Sequence, residues 1–204
     1  NIKAGLQLMN TKFSNQSENK TVVGKLLEDC DRLSDLMDSV LAFSRPIDPR
    51  LKAINLAILL QKILDRWRTR MKRVNVEGQL LVEADLPMIS GDLRSIERVF
   101  ANLISNAVDA MSENGGTLVI RASVNESLSS KSQIEVTVAD NGPGIPEEIK
   151  NKIFEPFVTN KEHGTGLGLA ITQRMITAHK GSIEVESFPG GTIFTVYLPI
   201  DSGV

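Results

Sequence analysis

Residues 96–110, IERVFANLISNAVDA, constrain this chain more than any other stretch. Ile96, Val99, Phe100, Leu103, Ile104, Ala107, Val108 and Met111 recur at three- and four-residue spacing. That period predicts an amphipathic helix with one buried stripe. Asn102 and Asn106 are four apart and Asp109 follows three later, so a helix stacks them on one face, with Arg98 a turn before them. Asparagine is a mediocre helix former, and a polar group beside an apolar stripe must find a partner. Two stacked carboxamides on such a helix call for a polar ligand.

Composition sets the frame. The 204 residues suffice for one full-sized domain plus a smaller element. Hydrophobic residues at 41% and charged residues at 24% describe a folded, soluble chain. A net charge of −2 points away from nucleic acid and anionic membranes as partners. The lone Cys30 excludes an internal disulfide framework and a multi-cysteine zinc site, and a reducing compartment fits it. No apolar run approaches a membrane span and no signal peptide is visible. The chain opens on Asn1 rather than methionine and reads as a fragment, which leaves the membrane attachment of a longer protein open.

Residues 1–45 read as a helical hairpin. Ile2, Leu6, Met9 and Phe13 form one seam, SNQSEN (14–19) a polar turn, and Leu26, Cys30, Leu33, Met37 and Val40 a second seam. The 3.5-residue average is that of a bundle, and two such hairpins make a dimeric four-helix bundle. Cys30 is more simply a small buried hydrophobe of that seam than a redox group. Pro46 and Pro49 end the helix and make 46–50 a linker. From 51 to 204 the pattern is mixed α/β. A helix is expected over 56–70, a strand over 79–84, and SGD (90–92) as the cap of the asparagine helix. Strands are expected over 117–124 and 134–140, joined by the serine-rich loop NESLSSKSQ. A helix over 166–179 and a closing hairpin, 182–188 and 192–198 around PGG, complete the chain.

Two glycine clusters carry chemistry. In DNGPGIP (140–146) Asp140 ends a strand, and Gly142 and Gly144 permit close backbone approach. A carboxylate there can accept from an exocyclic amine such as that of adenine. An ordinary Asn-Gly/Pro-Gly turn is the rival reading. In GTGLGL (164–169), Gly164, Thr165, Gly166, Leu167, Gly168 and Leu169 open a helix whose free N–H groups suit phosphate oxygens. The dinucleotide fingerprint and the Walker lysine are both absent. Between the clusters, Phe154 and Phe157 anchor one end of IFEPFVTNKEH, while TNKEH reads as a mobile cover over a nucleotide. Lys161 reaches a terminal phosphate in that reading and is a solvated surface lysine in the other. His163 has no second ligand nearby, which argues against a metal role, and His179 reads as a helix C-terminal capping residue.

The order of these parts resembles the ATP-binding domain of sensor histidine kinases, in the superfamily shared with gyrase, the heat-shock chaperone and mismatch-repair ATPases. The resemblance covers about residues 51–200 and includes GGT (190–192). LSDLMDSVLAFSRP (33–46) resembles the second helix of the kinases' dimerisation and phosphoacceptor hairpin. NAVDAM and FEPFVTNKEHGTGLGLAI resemble the nitrogen-regulation subgroup. The fold implied is α+β, a helical hairpin followed by an α/β sandwich of the kinase, gyrase and chaperone type.

The resemblance implies the cofactors ATP and Mg²⁺. It places Asp140 on the adenine amine, Gly144 and Thr192 in the adenine-binding water network, and Asn106 on the metal. Asn102 then supports the triphosphate and GTGLGL holds the phosphates. It also implies a homodimer through residues 1–45, a response-regulator receiver domain as partner, and a bacterial cytoplasmic setting. Three departures follow. Gyrase and the chaperone place a catalytic glutamate where this chain has Asn102, and an amide cannot act as that base, so slow ATP hydrolysis is expected. Asp109 stands where many kinases carry a basic residue. The phosphoacceptor histidine is not in the chain, and by the family's spacing it precedes Asn1 by roughly one to two helical turns. A gyrase-like ATPase and a non-catalytic ATP-sensing scaffold are the alternatives.

Overall fold

The computed structural model describes residues 46–125, 132–161 and 164–200, together with isolated positions between 24 and 44. Those isolated positions, Cys30 and Phe43 among them, are helical. The first seam, the 14–19 turn and most of the second seam lie outside the described residues. So do most of the serine-rich loop, at 126–131, and residues 162–163.

The elements run β1 (Lys52–Ile54), α1 (Leu56–Arg73), β2 (Val76–Val82), β3 (Ile89–Gly91), α2 (Leu93–Ala110), β4 (Gly116–Asn125), β5 (Gln133–Asp140), α3 (Glu147–Lys150), α4 (Gly168–Ala178), β6 (Ser182–Phe188) and β7 (Gly191–Pro199). One sheet has the order β2-β4-β5-β7-β6, parallel only between β2 and β4. A second, two-stranded antiparallel sheet pairs β1 with β3.

Local chemistry sets the helix ends. Asn55 caps α1 by accepting from Ile58 N at 3.0 Å, and Arg70, Lys72 and Arg73 lie at its negative end. Asp92 caps α2, accepting from both the N–H and the hydroxyl of Ser95 at 2.9 Å. Hence the carboxyl of Asp92 is held below the usual range, first by the Ser95 N–H.

The five-stranded sheet is a half-buried surface, with alternate residues facing a layer of helices. Leu118, Ile120 and Ala122 of β4, Ile134, Val136 and Val138 of β5, and Phe194, Val196 and Leu198 of β7 form the inner rows. Helix α2 packs against α1 on one side and α4 on the other. Its expected stripe is the observed one, with Ile96, Val99, Phe100, Leu103 and Ile104 fully buried. Each such side chain contributes up to about 2–3 kcal/mol.

The sequence-based bounds of the long elements hold to within three residues. The expectation for 166–179 needs correction at its start, because α4 begins at Gly168. Gly166 has φ +65°, outside helical space, and its carbonyl accepts from Phe157 N at 2.9 Å. A Cβ at Gly166 would stand 2.4 Å from the Phe157 carbonyl carbon, so this close crossing requires glycine. The two aromatic anchors also divide: Phe154 packs edge-on to Phe194 with ring centroids 6.5 Å apart, whereas Phe157 is solvent-exposed.

Candidate functional site

Strand parity brings the first site residue into place. Ile134, Val136 and Val138 point inward along β5, and the same alternation points Asp140 inward at the strand end. Opposite it on β7 stands Thr192, at the end of the row Thr192, Phe194, Val196, Leu198. Both are buried. The carboxylate of Asp140 accepts from Gly142 N at 2.9 Å and from the Thr192 N–H. Burial still pushes its pKa above the ordinary value, and these two bonds only partly oppose that. A buried acceptor in this state gains from a further donor, which an exocyclic amine supplies.

Glycine clears the space beside it. A Cβ on Gly142 would lie 2.9 Å from Asp140 Oδ1 and 3.4 Å from Ala110 Cβ, so this turn sits against the last turn of α2. Gly144 has φ +85°, and a Cβ there would meet the Phe188 carbonyl oxygen at 2.5 Å. Ser187 holds the same turn from β6, its hydroxyl accepting from Ile145 N at 2.7 Å, and Lys150 Nζ donates to the Ser187 carbonyl at 3.0 Å. Nothing in the sequence pattern distinguishes Ser187 from the other polar residues of its strand; only the register of the closing hairpin does.

The other end of the site lies toward the start of α2. Asn102 Nδ2 donates to the buried Thr172 hydroxyl of α4 at 3.0 Å. A Cβ on Gly168 would stand 2.8 Å from Asn102 Oδ1, so the first residue of α4 is glycine where the two helices meet. A cavity of about 210 Å³ opens there, lined by Arg98, Asn102, Thr165, Gly168, Ile171 and Thr172. It joins the asparagine helix to the second glycine cluster. A wider, shallow groove along the β2–β4 edge holds none of the expected residues.

Asn106 lies one turn further along α2. Its Oδ1 accepts from Lys161 Nζ at 3.2 Å, and the same ammonium contacts Asp109 Oδ2 at 2.9 Å. The other oxygen of Asp109 takes Arg70 NH2 at 2.7 Å. Asp109 thus gathers two cations from α1 and from the segment before α4. Among the described residues no cluster of three His, Cys, Asp or Glu side chains could hold a metal.

His179 does more than cap α4. The buried ring bonds the Met175 carbonyl through Nδ1 at 2.6 Å and accepts Asp92 N–H at Nε2 at 2.9 Å. These two bonds assign the proton to Nδ1. The imidazole therefore joins the end of α4 to the start of α2, a pairing across 87 residues that local spacing does not reveal. His163 lies outside the described residues.

Comparison with known proteins supplies the family. Residues 91–202 match the family model described as histidine kinase-, DNA gyrase B-, and HSP90-like ATPase. The chain is 33% identical to the sensory histidine kinase/phosphatase NtrB of Rhodobacter capsulatus, over 98% of this chain and 57% of that one. It spans about half the length of the curated relatives it matches. The structure resembles full-length ShkA in complex with AMPPNP, with a TM-score of 0.77 and 28% identity over 93% of this chain and 40% of that one. It also resembles the histidine kinase ThkA in complex with the response regulator TrrA, with a TM-score of 0.74 and 26% identity over 98% and 57% of the two chains. The chain belongs to the histidine kinase-, DNA gyrase B- and HSP90-like ATPases.

Proposed function

We propose that this chain is the catalytic core of a sensor histidine kinase, which binds Mg-ATP and passes the γ-phosphoryl to a histidine and thence to a response-regulator aspartate. The observation that carries the reading is the arrangement along α2. Its last turn faces the Asp140 turn, and its earlier turns present Asn106 and Asn102 toward Lys161 and Gly168. Adenine lies at the Asp140, Gly142, Gly144 and Thr192 end. The phosphates run along α2 toward Gly164, Thr165, Gly166, Leu167, Gly168 and Leu169. Phosphoryl transfer needs chiefly positioning and charge neutralisation, which is what these groups supply.

The residues fit Mg²⁺ in one manner. The Asn106 carboxamide turns its oxygen, not its nitrogen, toward the Lys161 cation, so a hard cation finds one protein oxygen there. With no carboxylate cage among the described residues, the remaining ligands are phosphate oxygens and water. The ion would neutralise charge on the transferred phosphoryl group.

Asn102 separates kinase from ATPase. A water-activating base must accept a proton, whereas the Asn102 amide donates to Thr172. Hydrolysis by the chain alone is therefore slow. The buried ring of His179, with both nitrogens bonded, is not the acceptor. Residues 1–45 form the dimerising hairpin and dock the receiver domain; 46–50 is the linker and 51–204 the ATP-binding domain. The setting is the bacterial cytoplasm. No helix among the described residues is long and apolar enough to cross a membrane.

The test is labelled ATP added to an N-terminally extended form of the protein. Acid-labile, base-stable label on the protein supports the kinase. Free phosphate as the main product points to the gyrase-like ATPase, and no turnover to a nucleotide-sensing scaffold.

A further inference from the structure

We infer that Arg98 recognises the terminal phosphoryl group and sets the preference of the site for nucleoside triphosphate over diphosphate. The inference rests on the ATP-binding reading above and adds to it a residue and a specificity.

Helix α2 serves as a ruler. Ala110 stands against the Asp140–Gly142 turn, which fixes the base end of the site. Asn106 and Asn102 follow one and two turns back, and Arg98 three turns back, about 18 Å along the axis from Ala110. Side chains on a helix lean toward its N-terminus, so Arg98 lies at the end of the site farthest from the base. There it lines the same cavity as Asn102, Thr165 and Gly168.

Charge separates Arg98 from its neighbours. Lys161 is level with Asn106 and is neutralised by Asp109, and Arg70 is bound to the same carboxylate. Glu97, next to Arg98 in sequence, pairs with Arg66. No carboxylate lines the cavity, and among the described residues the Arg98 side chain makes no hydrogen bond or ion pair. A guanidinium at the rim of a polar, carboxylate-free cavity beside a glycine-led helix start is suited to a phosphoryl group with two free oxygens, which it binds as a fork. A diphosphate ends short of it.

The experiment measures the affinity of the chain for ATP and for ADP, each in excess Mg²⁺, for the parent and for Arg98→Ala, Arg98→Gln and Arg98→Lys. The parent is expected to prefer ATP. Arg98→Ala and Arg98→Gln should weaken ATP about tenfold while leaving ADP unchanged, and Arg98→Lys should restore part of the difference. Matching melting curves establish that each variant is folded; if Ala is not, Gln decides. An equal loss for both nucleotides, no loss for either, or no preference for ATP in the parent overturns the role of Arg98 alone. Binding of neither nucleotide by the parent defeats the ATP-binding reading, and Arg98 with it.

Discussion

At Asp140 the stability of the fold and the proposed recognition of adenine pull in opposite directions. Its folded pKa is raised by burial, so the neutral form suits the folded chain and the ionised form is costly there. The sign follows from linkage. Whatever stability the carboxyl contributes is present below its unfolded pKa and is lost as pH rises through the raised folded value. Asp140→Asn keeps an acceptor for Gly142 N–H and removes the charge. At pH 7 it should melt no lower than the parent, and higher by about 2–4 °C for each kcal/mol relieved. The gap should close as the pH falls toward the ordinary carboxyl value of 3.8. ATP affinity should nonetheless fall about tenfold or more. A variant that is less stable yet binds ATP normally would remove Asp140 from the adenine site. This carboxylate was legible in the sequence because strand parity and a glycine-rich turn both mark it. Thr172 was not, because its partner Asn102 is 70 residues away.

At the level of elements, the fit between α2 and α4 shapes the proposed phosphate end. Gly168 opens α4 with its Cα against Asn102. Alanine is the better helix former by about 0.8–1.0 kcal/mol in a helix interior. Gly168→Ala should therefore leave the melting temperature nearly unchanged while displacing the Asn102 carboxamide and weakening ATP binding. Calorimetric titration showing parent-like affinity would refute that packing role. His179 holds the same two helices from their other ends. His179→Ala leaves the Asp92 N–H unpaired in a part-buried place and should cost about 2–3 kcal/mol, with His179→Gln recovering part of it. Denaturant unfolding with a loss below about 0.5 kcal/mol would mean that the bridge contributes little. The long elements were legible because seven or more residues display a period. Strands β1 and β3, three residues each, show none and were missed. The start of α4 was misplaced because the left-handed Gly166 is set by its crossing with Phe157 and not by its own neighbours.

On the scale of the whole molecule, the core runs from Ile54 to Leu198, and Phe43 and Ile47 pack only on its margin. The Phe43 ring lies 4.8 Å from the Arg174 guanidinium carbon, which ties the helical position at Phe43 to α4. Removing residues 1–50 should leave a folded, monomeric ATP-binding domain. The full chain should sediment as a dimer at high concentration and dissociate on dilution. A full chain that stays monomeric at every concentration would refute the hairpin's proposed role. The hairpin was read from its seam period, yet most of it lies outside the described residues, so its pairing rests on sequence.

One structure decides whether the two ends of the site act on one ligand: the chain solved with Mg²⁺ and AMPPNP. The adenine amine is expected within hydrogen-bonding distance of the Asp140 carboxylate, and the metal on Asn106 Oδ1 after Lys161 Nζ has moved away from it. A nucleotide seated in the β2–β4 groove, or bound with neither Asp140 nor Asn106 in contact, would contradict the reading of this chain as a kinase core.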